Sequence, residues 1–322
     1  MRSRSSRVGF GSRPAPVARF LLLAALCWRR PSSAAHAAVK APYGSAHKTF
    51  SGPFDSSDPR VDVFYPTGTP AGRRFTLVAW AHGLWGGGDI DWVAYTPMLK
   101  QWAAHGFVIV APRACNNGCH DSCVSIPGGP ECFGTYYLQQ IEALKWVNGK
   151  NLTEDAAALL NPLVNHTHGY GIGGHSMGGQ ATLFSGSYAN ATENKIRAAI
   201  MMHPYTHEFP SLMVPFLVMT GDADGTALPS VSRKIFETRA GNGASRDRGF
   251  VNKKGASHLE PLFWLNDEAL ATFSAAFMKI HVEQVTHDEH ANYTALIYGN
   301  GSGSLCGGGD GEMVECDVKS AR

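Results

Sequence analysis

A single serine, Ser176, stands among five glycines in the stretch GIGGHSMGGQATL, residues 171–183. A serine hydroxyl is a weak nucleophile in water, so a chain that isolates one in this way either needs a tight turn or presents that oxygen for reaction. Gly174-His175-Ser176-Met177-Gly178 fits G-x-S-x-G, a pattern that does chemistry when it joins a strand to a helix: the backbone doubles back and leaves serine at a strained tip. An apolar run ending at Gly173 precedes it and the helical pattern QATLFSGSY follows, so that context is present. Such a serine needs a base, and the base needs an acid, in the chain order Ser, Asp or Glu, His. GDADGTALP, after the apolar run PFLVMT, offers Asp224, with Asp222 as the competitor and only loop spacing to favour Asp224. GASHLEP offers His258 in a loop that follows a predicted strand, whereas His281 and His287, at or beyond the end of the last helix, read as surface residues.

The remaining part is a receptor for negative charge. VAWAHGLWGGGD ends a strand with His82-Gly83-Leu84-Trp85 and three more glycines, which lets backbone approach a bound carbonyl closely. The main-chain N–H groups of Leu84 and Met177 are the expected oxyanion donors, ahead of Trp85, each worth about 3–4 kcal/mol in comparable sites. The helix after Ser176 also points its amino end, with its free N–H groups, at the developing charge. His82 and His175 flank functional residues without occupying a triad position, and both read as buried imidazoles beneath the loop.

Those side chains need a frame. VDVFY (61–65), FTLVAWA (75–81), FVIVA (107–111), the segment ending at Gly173, IRAAIMM (196–202) and PFLVMT (215–220) read as short buried strands, with a further strand expected around GFVNKKG. YYLQQIEALKWVN (136–148) predicts a helix capped by Thr135 and stopped by Gly149, with Leu138, Ile141 and Leu144 on its apolar face. Asn266 precedes a second helix whose apolar face is Leu270, Phe273, Phe277 and Ile280. Strands alternating with helices imply an α/β fold, a mostly parallel sheet covered on both faces. Beyond about residue 285 the pattern dissolves into a glycine-rich tail. The expected organisation is therefore a targeting peptide at 1–37, a catalytic domain at 38–285 and a tail at 286–322.

Composition narrows the function. The chain has 322 residues, 44% of them hydrophobic, and a formal charge of +2. Residues 1–37 hold seven arginines and no acid, so without them the charge falls from +2 to −5, which argues against a nucleic-acid partner. Basic residues, the run FLLLAALCW and AAHAAV describe a cleavable leader ending at Ala37, too short to span a bilayer. It reads first as a secretory signal and, being rich in Ser and Arg, second as a plastid transit peptide. Five N-x-[ST] sequons, at Asn151, Asn165, Asn190, Asn292 and Asn300, and six cysteines after the leader suit an oxidising lumen. Cys115, Cys119, Cys123 and Cys132 share one loop; their spacing lacks the tight pairs of structural zinc, so disulfides are expected and no metal. Cys306 and Cys316 bracket the glycine-rich tail and are expected to pair.

GHSMGG, GDADGTALP and GASHLEP, together with the HG loop, resemble the α/β-hydrolase superfamily over about residues 45 to 281. Within it the chain is similar to the branch of chlorophyllases, cutinase-like polyester hydrolases and dienelactone-hydrolase relatives. The resemblance implies an α/β-hydrolase fold, a Ser176–His258–Asp224 triad working through an acyl-enzyme, and no cofactor. In the polyester hydrolases the residue matching Tyr205, in MHPYTH, lines the acyl cleft; with Leu84, Trp85 and Met177 it implies an apolar cleft for a bulky hydrophobic ester. AAHGFVIVAP and GHSxGGQ are similar to chlorophyllases, although their elbow usually carries arginine where this chain has Met177. Dienelactone hydrolases proper use cysteine where this chain has Ser176. The leading expectation is a chlorophyllase cleaving the phytyl ester in plastids; the alternative is a secreted polyester or general lipophilic esterase. A catalytically silent binding protein, or a hydrolase of carbon–carbon or carbon–halogen bonds, would share the frame. A monomer is expected, with no transmembrane segment and with peripheral membrane contact left open.

Overall fold

The alternation of apolar runs and helical segments resolves into a nine-stranded sheet in the computed structural model. It describes residues 40–54, 58–84, 89–115, 135–149, 152–238, 247–262, 268–283, 286–307 and 313–320, without side chains at 89–93, 188 and 268–270. The strands are β1 (Gly44–Ser51), β2 (Arg60–Thr67), β3 (Thr76–Ala81), β4 (Phe107–Pro112), β5 (Tyr170–His175), β6 (Ile196–Met202), β7 (Phe216–Gly221), β8 (Arg248–Lys253) and β9 (Met313–Lys319). Their order across the sheet is β1-β2-β4-β3-β5-β6-β7-β8-β9. The six central strands from β4 to β8 are parallel, and β1, β2 and β9 extend the sheet antiparallel at its two sides. This is the mixed, mostly parallel sheet of the α/β-hydrolase fold.

The helices are α1 (Asp89–Ala104), α2 (Tyr137–Asn148), α3 (Glu154–Leu163), α4 (Met177–Ser185), α5 (Tyr188–Glu193), α6 (Pro229–Glu237), α7 (Glu268–His281) and α8 (His287–Tyr298). Successive strand residues point to opposite faces, so each central strand feeds two cores. Leu77 and Ala79 of β3, with Ala199 and Met201 of β6, pack beneath α2, α3, α4 and α6. Val78 and Trp80, with Ala198, Ile200 and Met202, pack beneath α1, α7 and α8, where Trp102, Phe273 and Phe277 fill the layer. Strands buried on both faces read as continuous apolar runs, which is why they were visible without alternation.

Three expectations are corrected. Thr135 is not the cap of α2: Tyr136 takes that position and no side-chain cap bond is made. Leu138 lies off the buried face and is 49% exposed, whereas Gln140 takes the sheet-facing place. Gln140 is admitted there because its amide donates to Ala79 O, Gly173 O and Thr182 Oγ1, tying α2 to two strands and to α4. The last segment does not dissolve: Thr286 and Glu289 form a capping box that starts α8, and β9 pairs with β8 from Arg248↔Lys319 to Lys253↔Met313. The expected apolar face of α7 holds at Phe273, Phe277 and Ile280; Asn266 and the Leu270 side chain lie outside the described residues.

Cys306 and Cys316 are joined, Cα atoms 5.4 Å apart, which ties the turn segment after α8 to β9. Cys115 is also disulfide-bonded; Cys119, Cys123, Cys132, Trp85 and the leader at 1–37 lie outside the described residues. Among the described residues, no helix is long and apolar enough to cross a membrane.

Candidate active site

The carboxyl ends of the parallel strands deliver the candidate residues to one edge of the sheet, where ligands of open α/β sheets bind. His82 follows β3, Ser176 follows β5, His203 follows β6, Asp224 lies just beyond β7 and His258 beyond β8. Between β5 and α4 the chain turns so tightly that a Cβ on Gly174 would run into Gly178 O, and one on Gly178 into Ala81 O. Those two contacts are why the elbow needs glycine on both sides. Ser176 itself sits at φ 57°, ψ −119°, a conformation costing about 1–3 kcal/mol for a residue with a side chain. Its N–H donates to Met202 O at 3.0 Å and its carbonyl accepts from Tyr205 N at 3.0 Å, which pins the strained residue between β6 and the following loop.

The elbow presents Ser176 Oγ 2.9 Å from His258 Nε2. His258 Nδ1 is 2.9 Å from Asp224 Oδ2. A carboxylate only accepts, so Nδ1 carries the proton and Nε2 is left with a lone pair facing the serine hydroxyl. Asp224 is 2% exposed, and its other oxygen accepts from Thr226 N and Ala227 N at 2.8 Å each. Burial alone would raise this carboxyl, but hydrogen bonds from His203 and His258 hold it far below the usual carboxylate range. Asp222, the competing acid, is exposed and accepts from Gly255 N. Of the competing bases, His281 bonds Tyr298 Oη at 3.0 Å and His287 is in solvent.

The HG loop is held by two tyrosines that the sequence reading did not single out. His82 N donates to Tyr136 Oη and Gly83 N to Tyr95 Oη, both at 3.0 Å. Leu84 N is then the next donor along the loop, and Met177 N opens α4 ahead of its first intrahelical bond, from Gln180 N to Ser176 O. Loop and elbow are in close contact: a Cβ on Gly83 would lie 3.3 Å from Ser176 Cβ and 2.9 Å from His175 Nδ1. His175 is buried, with Nδ1 2.7 Å from Tyr95 Oη and Nε2 2.8 Å from His258 O. Burial, with the nearby His258 and His203, drives it well below the usual imidazole range and keeps it neutral. It therefore braces the loop that carries His258. His82 sits with its ring nitrogens 2.7 Å from Gly83 O and Ala114 O, and burial lowers its pKa.

Two further groups were missed. His203 and Glu260 are 1% and 4% exposed and extend the cluster away from His258. Their signals were slight: a histidine ending an apolar strand run, and an acid two places after the base. Donor atoms of His203, Asp224 and His258 lie within 4.8 Å of one another. Asp224 Oδ2 is already shared by both imidazoles, so the set forms a hydrogen-bond cluster rather than an open coordination site. Around it the exposed surface is partly apolar: Leu259, next to His258, is 38% exposed, and Leu228, at the end of the Asp224 loop, 54%. Tyr205 is half-buried with its ring against His207.

A strand-to-helix serine elbow at the switch edge of such a sheet defines a hydrolase of the α/β class. A family model described as PETase, PET hydrolase-like, matches residues 29–302, and the chain belongs to that family. It is accordingly a hydrolytic enzyme acting on an ester. No curated protein matches the sequence. Of the branches the sequence resembles, the match supports the polyester hydrolases and not the chlorophyllases.

Proposed function

We propose that the chain is an exported serine carboxylic ester hydrolase for lipophilic, polyester-like substrates, with Ser176 as nucleophile, His258 as base and Asp224 as the acid that orients it. The observation that carries the reading is the bond chain from Ser176 Oγ through His258 to Asp224, each link 2.9 Å. As Ser176 attacks the ester carbonyl, its proton passes to His258 Nε2, while Asp224 holds the Nδ1 proton and stabilises the imidazolium. The tetrahedral oxyanion takes hydrogen bonds from Leu84 N and Met177 N. His258 returns the proton to the leaving alcohol, then activates a water that releases the acid from Ser176. No cofactor is required by these steps.

The substrate class rests on the family match and on surface character. Leu259 and Leu228, on the loops that carry base and acid, are exposed apolar side chains, and Tyr205 and Leu84 are partly buried. Such a surface suits an extended apolar chain better than a charged or strongly polar ester. The Cys306–Cys316 bond supports an oxidising compartment, hence export.

The test is a side-by-side assay of purified mature protein and Ser176→Ala on a polyester film, a p-nitrophenyl butyrate solution and chlorophyll a. The expected result is cleavage of film and short ester, little release from chlorophyll a, and a drop of at least about a thousandfold in Ser176→Ala. Cleavage of chlorophyll a in preference to the film overturns the substrate class; a folded Ser176→Ala with native turnover overturns the nucleophile.

A further inference from the structure

His203 stands where ordinary packing would not put it. It is one of four non-glycine residues at positive φ among the described residues, at 45°, and Ser176 on the neighbouring strand end is another. Its N–H donates to Met219 O at 2.7 Å, so the backbone that holds it also joins β6 to β7, the strand leading to Asp224. The ring faces a carboxylate at each nitrogen: Nδ1 is 2.8 Å from Asp224 Oδ2, and Nε2 is 3.2 Å from Glu260 Oε2. An ionised carboxylate accepts and does not donate, so both bonds form only if both ring nitrogens carry protons. Glu260 is in turn bonded through Oε1 to Lys253 Nζ at 2.8 Å. Asp224 thus accepts two imidazoles on one oxygen, His258 on the side of the serine and His203 on the side of the protein interior.

We propose that His203 and Glu260 are positioning residues for the reaction: a buried cationic arm that fixes Asp224 and sets a positive charge beside His258. The inference rests on the roles proposed above for Ser176, His258 and Asp224. With His203 protonated, the charges of Asp224, Glu260, His203 and Lys253 cancel, and His258 is the one member left to gain a proton during turnover. The groups facing His203 are Asp224 from the loop after β7, Glu260 from the 3-10 turn Glu260–Leu262, and the rings of His175 and His258, with centroids 6.2 and 5.9 Å away. Those facing His258 are Asp224, Ser176 and the His175 ring at 4.9 Å, besides His203. His175 is held neutral, so His203 is the cation that His258 feels. Burial opposes a charge on His203, yet the two carboxylates outweigh it and raise its pKa, while Glu260 stays ionised below the usual range despite its burial.

A neutral residue at 203 leaves two buried carboxylates against Lys253 alone. The added negative charge near His258 favours its protonated form, which moves the acid limb of kcat/KM upward by about one to two pH units at a ring separation of 5.9 Å. Glu260→Gln removes a negative charge instead, so its limb does not move up. Both variants and the parent chain are profiled on p-nitrophenyl butyrate from pH 4.5 to 9, with circular dichroism to confirm folding. An upward shift of at least one unit in His203→Asn, absent in Glu260→Gln, is the expected result; a folded His203→Asn whose limb stays in place, or equal upward shifts in both variants, overturns the inference. Ser176→Ala runs alongside: if it keeps native turnover, the nucleophile assignment has failed rather than the arm. Should His203→Asn not fold, the ring nitrogen-15 shifts of His203 in the unaltered chain at pH 7 decide, an imidazolium supporting the arm and a neutral ring overturning it.

Discussion

Replacing Asp224 by Asn tests the hydrogen-bond logic of the site, because the surroundings dictate which way the amide must point. Asp224 Oδ1 accepts from Thr226 N and Ala227 N, both at 2.8 Å. Those backbone donors are fixed by the loop, so the Asn carbonyl oxygen takes that place and its NH2 group occupies the former Oδ2. That position faces His258 Nδ1 at 2.9 Å and His203 Nδ1 at 2.8 Å. Each facing imidazole Nδ1 can meet an amide N–H only with a lone pair, and for His258 this moves the ring's proton to Nε2. Nε2 would then offer Ser176 Oγ a proton instead of receiving one, and the charge that stabilises the imidazolium is gone as well. Loss of the correct tautomer in a serine triad costs about 10⁴-fold in kcat, or about 5.4 kcal/mol of barrier. Asp222→Asn is the control: its side chain is exposed, and an amide oxygen can still accept from Gly255 N, so turnover should stay within about twofold. Both variants are assayed on p-nitrophenyl butyrate after thermal unfolding has shown that they fold. Turnover of folded Asp224→Asn within tenfold of the parent, or a larger loss in Asp222→Asn, refutes the reasoning.

Three other perturbations probe the frame around the site. Gly83→Ala brings a methyl within 3.3 Å of Ser176 Cβ and 2.9 Å of His175 Nδ1, so kcat should fall by one to two orders of magnitude, about what a displacement near 1 Å costs, while stopped-flow assays show KM less changed. His105, 3% exposed, is lowered from 6.5 to about 4 by burial and by Lys279; a depressed histidine gives stability that is full above its unfolded pKa and is lost as pH falls. Urea titrations at pH 7 and pH 4 should therefore show the parent losing up to about 3 kcal/mol more than His105→Gln. Replacing Cys306 and Cys316 by Ser opens a loop of sequence separation 10 at the edge strand, which should lower unfolding free energy by about 3 kcal/mol in chemical denaturation and leave turnover near the parent level.

The central strands and the elbow were legible because their signals are local. FVIVA is buried on both faces and apolar throughout, IRAAIMM likewise but for exposed Arg197, and the glycines beside Ser176 answer a steric need within a few residues. Less of the edges was legible. β1, GSAHKTFS, is half-solvated with a single buried residue, Phe50, so it carries neither an apolar run nor a clean alternation. β9 owes its place to pairing with β8, which no window of sequence contains, as well as to the expected Cys306–Cys316 bond. The misplaced face of α2 has the same cause: Gln140 is buried because Ala79, Gly173 and Thr182 offer its NH2 group acceptors from distant parts of the chain, and a polar residue held in this way is invisible to a hydrophobic count. At the site, motif order led to Ser176, Asp224 and His258, while His203 and Glu260, 57 positions apart, meet only through folding. Tyr95 and Tyr136, which hold the HG loop, likewise belong to no pattern of spacing.

The most direct measurement of the central claim is covalent trapping of the nucleophile. Incubating the mature protein with a p-nitrophenyl alkylphosphonate releases nitrophenolate as the phosphonyl group transfers to an activated hydroxyl, and intact-mass and peptide mass spectrometry locate the adduct. A single adduct per chain on the peptide containing Ser176, with trapping slowed at least about a thousandfold in folded His258→Ala, is the predicted result. An adduct on another residue, or unchanged trapping without His258, would contradict the account.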